Sequence, residues 1–175
     1  MRFNPKILIS IILLITFLFI GTFYLFNSKQ VKQKPNDISK QTTTDSENVD
    51  YTASFAIYTN GTFRIFTAPM YHNLSADVFI EASDPNIVNI KKSNITWRDF
   101  FATLPFSLSE TCLTTGTKQT FCSNQQYTLQ FYLNGQGNDS VLDQIINSGD
   151  KLLVTYEKEN ASIIQEQLQS IPSSN

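Results

Sequence analysis

Hydrophobic and polar positions divide the chain into an apolar run, a polar stretch and a longer region of alternating residues. Residues 7–26 contain no charged side chain. A helix of about 20 residues rises about 30 Å, the thickness of the hydrocarbon layer of a bilayer. The run is also longer than the apolar core of a signal peptide. The pattern predicts a cytoplasmic N-terminus at 1–6, a transmembrane anchor at 7–26, a flexible linker at 27–51, an extracytoplasmic domain at 52–157 and a partly helical or disordered tail at 158–175.

A β-hairpin is the clearest local signal in the predicted domain. The segment "SFAIYTNGTFRIFTA" places β-branched and aromatic residues on both sides of Asn60-Gly61. This dipeptide accepts the positive φ angles of a type I′ turn. Further strands are predicted in "ADVFIEA", "NIVNIKK", "YTLQFYL" and "DKLLVTY". Alternation within the hairpin predicts four side chains that face the core: Phe55, Ile57, Phe63 and Ile65.

One helix is predicted in "NITWRDFFATLPF". Thr96 is placed to cap its amino end, Asp99 lies three residues later, and Pro105 ends it. Large apolar residues recur at spacings of three and four, which puts them on one face of the helix. The residues of this core-facing side are Trp97, Phe100, Phe101 and Leu104. The elements together predict an α+β domain with a mixed sheet and one packed helix.

This order of strands and helix resembles the β-grasp, or ubiquitin-like, plan. The pieces at 95–101, 129–135 and 149–156 are similar to the transcobalamin-like carboxy-terminal module of exported bacterial proteins. The motifs "DFF", "TCL", "FC" and "FYxNG" also resemble, over residues 53–156, an uncharacterised family of membrane-anchored or secreted prokaryotic proteins. The resemblance implies a β-grasp-like sheet.

The resemblance does not extend to a cofactor. Members of that family often carry several histidines on the strands before the helix, whereas "DVFIEASDPNIVNIKK" contains none. Cobalamin binding in transcobalamin relies on a second, helical domain that has no counterpart in this sequence. No cofactor is therefore expected.

The cysteines indicate on which side of the membrane the predicted domain lies. Cys112 and Cys122 are the only cysteines, and they lie ten positions apart. They are predicted to form a disulfide, which persists in an oxidising compartment. Because basic residues flank the apolar run almost equally, the positive-inside rule does not decide the orientation. The disulfide therefore favours an extracytoplasmic domain.

Charge and sequons narrow the possible functions only slightly. The residues after the apolar run include 11 basic and 15 acidic side chains without a basic cluster. Nucleic-acid binding and binding to anionic lipid headgroups therefore have no electrostatic support. Five Asn-X-Ser/Thr sequons occur in a chain rich in these residues, and no function is assigned to them.

No set of residues specifies a reaction. His72 is the only histidine, and the carboxylates are scattered along the chain. Two thiols and one distant imidazole supply too few ligands for zinc. Calcium has weak candidates in Asn138 and Asp139, because "NGQGND" partly fits the calcium-binding β-roll nonapeptide. A β-roll needs about three copies, and only one occurs here.

The sequence favours a binding or assembly module over an enzyme. A single-pass anchor at 7–26 would display the domain to a protein or peptide partner in the cell envelope, with strand addition at a sheet edge as one mechanism. Two alternatives remain open. The first is a cell-envelope hydrolase that uses paired carboxylates, and the second is a carrier of a small ligand or metal.

Overall fold

A computed structural model describes residues 47–158 and 160–174 of the chain. None of the helices in these two ranges has the length and apolar character needed to cross a membrane. The predicted anchor at 7–26 and most of the predicted linker lie outside the described residues.

The described residues form an α+β domain with two sheets. Ten strands run in chain order: β1 (Asn48–Thr59), β2 (Thr62–Phe63), β3 (Val78–Phe79), β4 (Ile87–Lys92), β5 (Ser107–Leu108), β6 (Cys112–Thr114), β7 (Thr120–Cys122), β8 (Thr128–Leu133), β9 (Gln136–Gly137) and β10 (Lys151–Glu157). The helices are α1 (Trp97–Thr103) and α2 (Ala161–Gln169), with short 3₁₀ turns at Pro69–Tyr71 and Val141–Asp143.

A parallel pair of strands lies at the centre of the larger sheet. The strand order is β3-β4-β1-β10-β8-β9, and β2 pairs with the end of β1. Strands β1 and β10 run parallel from Ser54↔Lys151 to Thr59↔Tyr156, and the other pairings are antiparallel. Because both faces of these central strands are apolar, other elements must pack on each face of the sheet.

Helix α1 covers one face of the sheet. Thr96 and Asp99 form a capping box, with the Asp99 amide 3.1 Å from Thr96 Oγ1 and the Thr96 amide 2.9 Å from Asp99 Oδ2. The Phe100 ring lies 5.3 Å from the Phe55 ring of β1, measured between centroids. The four side chains predicted for the core face of the helix are all buried: Trp97, Phe100, Phe101 and Leu104.

Helix α2 covers the opposite face. Asn160 caps it through its side-chain oxygen, which accepts hydrogen bonds from the amides of Ser162 and Ile163. Ile164 packs with Ala56 of β1 and Leu153 of β10 in a second apolar cluster. The segment predicted as a partly helical or disordered tail thus contains a helix that belongs to the packed structure.

The hairpin at Asn60-Gly61 is confirmed, but its predicted core face is partly wrong. The turn residues have φ angles of 50° and 72°, and Tyr58 pairs with Phe63. Since paired residues share a face of the sheet, Phe63 packs in the second cluster rather than beside Ile57.

Ile65 is a second correction within the same hairpin. Strand β2 ends at Phe63, and the Ile65 side chain is 65% exposed. Other boundaries also differ from the sequence pattern: β1 begins at Asn48, before the predicted domain start, and "ADVFIEA" contributes only the two residues of β3.

The second sheet contains the disulfide. Strands β5, β6 and β7 pair in that order, and Cys112 lies directly opposite Cys122 with a Cα–Cα distance of 4.1 Å. The Thr111 carbonyl accepts a hydrogen bond from the Ser123 amide just outside the pair. This places the cysteines at a non-hydrogen-bonded position, where facing side chains are closest.

Removing the disulfide should lower the stability of the fold. The loop that it closes spans a separation of 10 residues, and the chain-entropy relation gives a loss of about 3 kcal/mol. The double substitution Cys112→Ser/Cys122→Ser should therefore lower the free energy of unfolding by this amount. Denaturant titration can follow unfolding through Trp97, the sole tryptophan, which is fully buried. The wild-type chain under reducing conditions is the control, and an unchanged midpoint in both samples would contradict the prediction.

Candidate functional site

An open apolar cavity lies between the loop after β2 and the second sheet. Its volume is about 330 Å³, at the lower end of the range for small-ligand pockets. Three buried side chains form its floor: Ile57 of β1, Phe66 of the loop and Leu113 of β6. The cavity therefore lies where the two sheets of the domain meet.

Phe66 fixes the loop that forms one wall of the cavity. Its ring centroid lies 5.2 Å from that of Phe55, 5.2 Å from that of Tyr71 and 5.9 Å from that of Phe106. The Phe66 carbonyl oxygen lies 2.8 Å from His72 Nε2, so this ring nitrogen donates the hydrogen bond. The only histidine of the chain thus holds the loop in place.

The opposite wall comes from the turn between β6 and β7. Thr115, Gly116 and Thr117 border the cavity there. A Cβ atom added to Gly116 would lie 3.0 Å from the carbonyl oxygen of Pro105. Because only glycine allows this close approach, Gly116 lets the turn pack against the chain after α1.

Among the described residues, Arg64 is the only charged one that lines this cavity. Its Nε donates to Thr59 Oγ1, and its guanidinium carbon lies 5.1 Å from the centroid of the Phe121 ring. Within residues 47–158 and 160–174 it forms no ion pair. Its terminal amino groups can therefore receive an anionic group from a ligand.

A second cavity of about 380 Å³ extends the first. The two share Phe106, Thr115 and Gly116. Of the residues that the structure describes, Lys118 is the only charged one that lines the second. Large apolar side chains border them, with Met70 52% exposed in addition to Ile65. We refer to the two cavities together as the hydrophobic groove. Contiguous exposed apolar surface of this kind is typical of a binding site.

A third cavity, near the start of α2, is larger but less suited to binding. Its volume is about 430 Å³, and Tyr127, Glu157 and Lys158 contribute to its lining. The Tyr127 ring stacks on the Tyr156 ring with a centroid distance of 5.4 Å. The Lys158 ammonium lies 5.3 Å from the centroid of the Tyr127 ring. The tyrosine ring already contacts Tyr156 and Lys158, so it is less suited to stack on a sugar.

The glycine-rich segment that suggested calcium forms a hairpin. Asn134 and Gly135 adopt φ angles of 53° and 82° and connect β8 to β9. Asn138 Oδ1 accepts a hydrogen bond from the Ser140 amide, and Asp139 follows it on the exposed surface. In the part of the chain that the structure describes, no cluster of three or more His, Cys, Asp or Glu side chains is placed to hold a metal ion.

Two carboxylates, Glu110 and Asp143, contact the same arginine. Arg98 of α1 donates through its Nε to Asp143 Oδ1 at 2.7 Å and through an amino group to Glu110. Hydrogen bonds from Arg98 lower the pKa of both carboxyl groups. A general acid in a hydrolase needs a raised pKa instead, so this pair does not fit the alternative of a hydrolase with paired carboxylates.

Sequence reasoning missed the residues of the hydrophobic groove. It placed Ile65 in the core and assigned no role to Arg64 or Met70. The sequence contains no local signal for them, because Arg64 alternates with Phe63 and Ile65 as a polar residue does on the outer face of a strand.

Comparison with known proteins identified no relative of this chain: no protein-family model, no curated protein and no solved structure matches it.

The Arg98 ion pairs should make stability depend on pH. The pKa of Glu110 and that of Asp143 are lowered in the folded chain. Their contribution to the free energy of unfolding is therefore complete above the ordinary carboxyl pKa. It is lost as the pH falls through the lowered, folded-state pKa. Arg98→Ala should therefore lower the unfolding midpoint at pH 7. The difference from wild type should vanish in strong acid. Thermal unfolding across this pH range checks the prediction, and a difference that is independent of pH would contradict it.

Proposed function

We propose that this chain is a membrane-anchored, extracytoplasmic binding or assembly module built on a β-grasp-like domain. The β-grasp assignment is supported by the central parallel strands β1 and β10, the antiparallel strands on either side of them, and α1 in the connection between β4 and β8. The element order noted in the sequence agrees with this arrangement.

The location rests on two features of the sequence and structure. The charge-free run at 7–26 has the length of a membrane-spanning helix. The bond between Cys112 and Cys122 is typical of proteins in an oxidising compartment. Together they support a domain displayed outside the cytoplasm.

The hydrophobic groove carries the functional part of the proposal. Ile65 is 65% exposed beside a cavity with a largely apolar lining. Leaving such a side chain in water gives up about 2 kcal/mol of hydrophobic stabilisation. A protein or peptide partner that covers Ile65 recovers this free energy, so the groove supports binding.

An enzymatic role has less support from the described residues. Asp99 is held in the capping box of α1. Glu110 and Asp143 are both bonded to Arg98, which keeps them ionised. The binding module is therefore the better conclusion.

Ile65→Ser tests the binding proposal in cells. The substitution removes the apolar side chain beside the groove, and the affinity for the partner should fall about tenfold or more. A photo-reactive cross-linker at Thr117, on the groove rim, should capture the partner from the full chain in its native membrane. Quantification of the cross-linked product measures the effect.

Ile145→Ser is the matched control for this experiment. Ile145 is also exposed, at 45%, and it does not line the groove. The control should give as much cross-linked product as the wild-type chain. Equal yields from both variants and wild type, or no product from any of them, would contradict the proposal.

The predicted topology has a separate test. Protease is added to intact cells, or to spheroplasts where a cell wall or outer membrane would exclude it. If the domain lies outside the membrane, the protease should cleave the predicted linker at 27–51 and release the domain. Immunoblotting of the supernatant detects the released fragment, and an intact cytoplasmic marker shows that the cells did not lyse. Protection of the chain until lysis would place the domain inside the cell.

A further inference from the structure

The backbone beside the hydrophobic groove has an unpaired edge. Tyr58 pairs with Phe63, and the Arg64 amide donates to the Ile57 carbonyl oxygen at 2.8 Å. Backbone groups in an antiparallel pair point alternately toward and away from the partner strand. The N–H and C=O groups of Phe63 therefore point away from β1. Within the described residues, neither these groups nor the N–H and C=O groups of Ile65 have a hydrogen-bond partner.

Other edges of the larger sheet are better covered. Beside β3, the Ile80 carbonyl oxygen accepts a hydrogen bond from the Asn73 amide. On the outer side of β8, the Leu129 amide donates to Ser123 Oγ and the Phe131 carbonyl oxygen accepts from the Asn138 amide. Covering of this kind prevents strand addition, so the edge at Phe63–Ile65 is the better template for a new strand.

Charge at the groove selects among possible partner segments. In the described part of the chain, Arg64 and Lys118 are the only charged residues that line its two cavities, and both are cationic. They contrast with the rest of the chain, in which acidic residues exceed basic ones. An acidic side chain on a bound segment would therefore find its complement at the groove and repulsion over much of the remaining surface.

We infer that the groove binds an extended, acidic segment of a partner protein, which adds as a strand along Phe63–Ile65. The segment's backbone pairs with the free N–H and C=O groups of this edge. One of its apolar side chains enters the cavity above Phe66, and a carboxylate two residues away reaches Arg64, because alternate residues of a strand project from the same face. This inference rests on the proposed binding function and names its partner class and mode.

Three synthetic peptides test this mode on the full chain in detergent micelles. Each is a capped octapeptide of alternating threonine and valine with one central phenylalanine. Glutamate, glutamine or lysine stands two positions after the phenylalanine, so that both side chains share one face. Fluorescence polarisation measures affinity, and hydrogen exchange measures protection of the Phe63 and Ile65 amides.

The glutamate peptide should bind at least about tenfold more tightly than the lysine peptide, and it should slow exchange at the Ile65 amide. Arg64→Gln should reduce its affinity to that of the glutamine peptide, whereas Arg64→Lys should keep the preference for glutamate. The Trp97 emission of each variant should match that of wild type, which shows that the fold is retained.

Absence of binding by all three peptides, equal affinity for the glutamate and lysine peptides, or binding without protection at Ile65 would each overturn the inference. These outcomes differ from failure of the proposed function. If Ile65→Ser still lowers cross-linking to the cellular partner, the groove binds its partner by another mode. If it does not, the binding function itself fails.

Discussion

Pairing of β1 with β10 in the middle of the larger sheet is the constraint on which the rest of the domain depends. Two parallel strands cannot be joined by a tight turn, and their apolar side chains point to both faces of the sheet. Phe55 and Ile57 therefore require α1 and the second sheet on one side, while Ala56 and Leu153 require α2 on the other. The positions of the two helices and of the second sheet follow from this need to cover both faces.

The groove arises from the register of one hairpin. A two-residue turn at Asn60-Gly61 fixes Tyr58 opposite Phe63, so Arg64 lies opposite Ile57 and the Phe66 ring reaches Phe55. The chain leaves the sheet after Phe63 and returns to the core only at Phe66. Between these points, Ile65 is left at the surface beside the cavity, and Arg64 is placed over Phe121. A one-residue change in turn length would move Arg64 and Ile65 to the opposite faces of the strand.

The elements that sequence could predict are those governed by local chemistry. The Asn60-Gly61 turn, the capping box of Thr96 and Asp99, and the end of α1 before Pro105 need only neighbours in the chain. The packing of α2 on the sheet and the groove depend on residues far apart in sequence. Ile65 shows the difference, because its alternation with Phe63 is that of a buried strand, and only the departure of the chain from the sheet exposes it.

The place of β1 also bears on how the domain would respond to mechanical force. The chain enters the described structure at the start of this strand, which is flanked by β4 over its first half and by β10 over its second. A pull on Asn48 along the strand axis would load these two rows of hydrogen bonds in shear, all at once, instead of peeling them apart one after another. A strand loaded in this way resists extension better than one whose hydrogen bonds break in sequence.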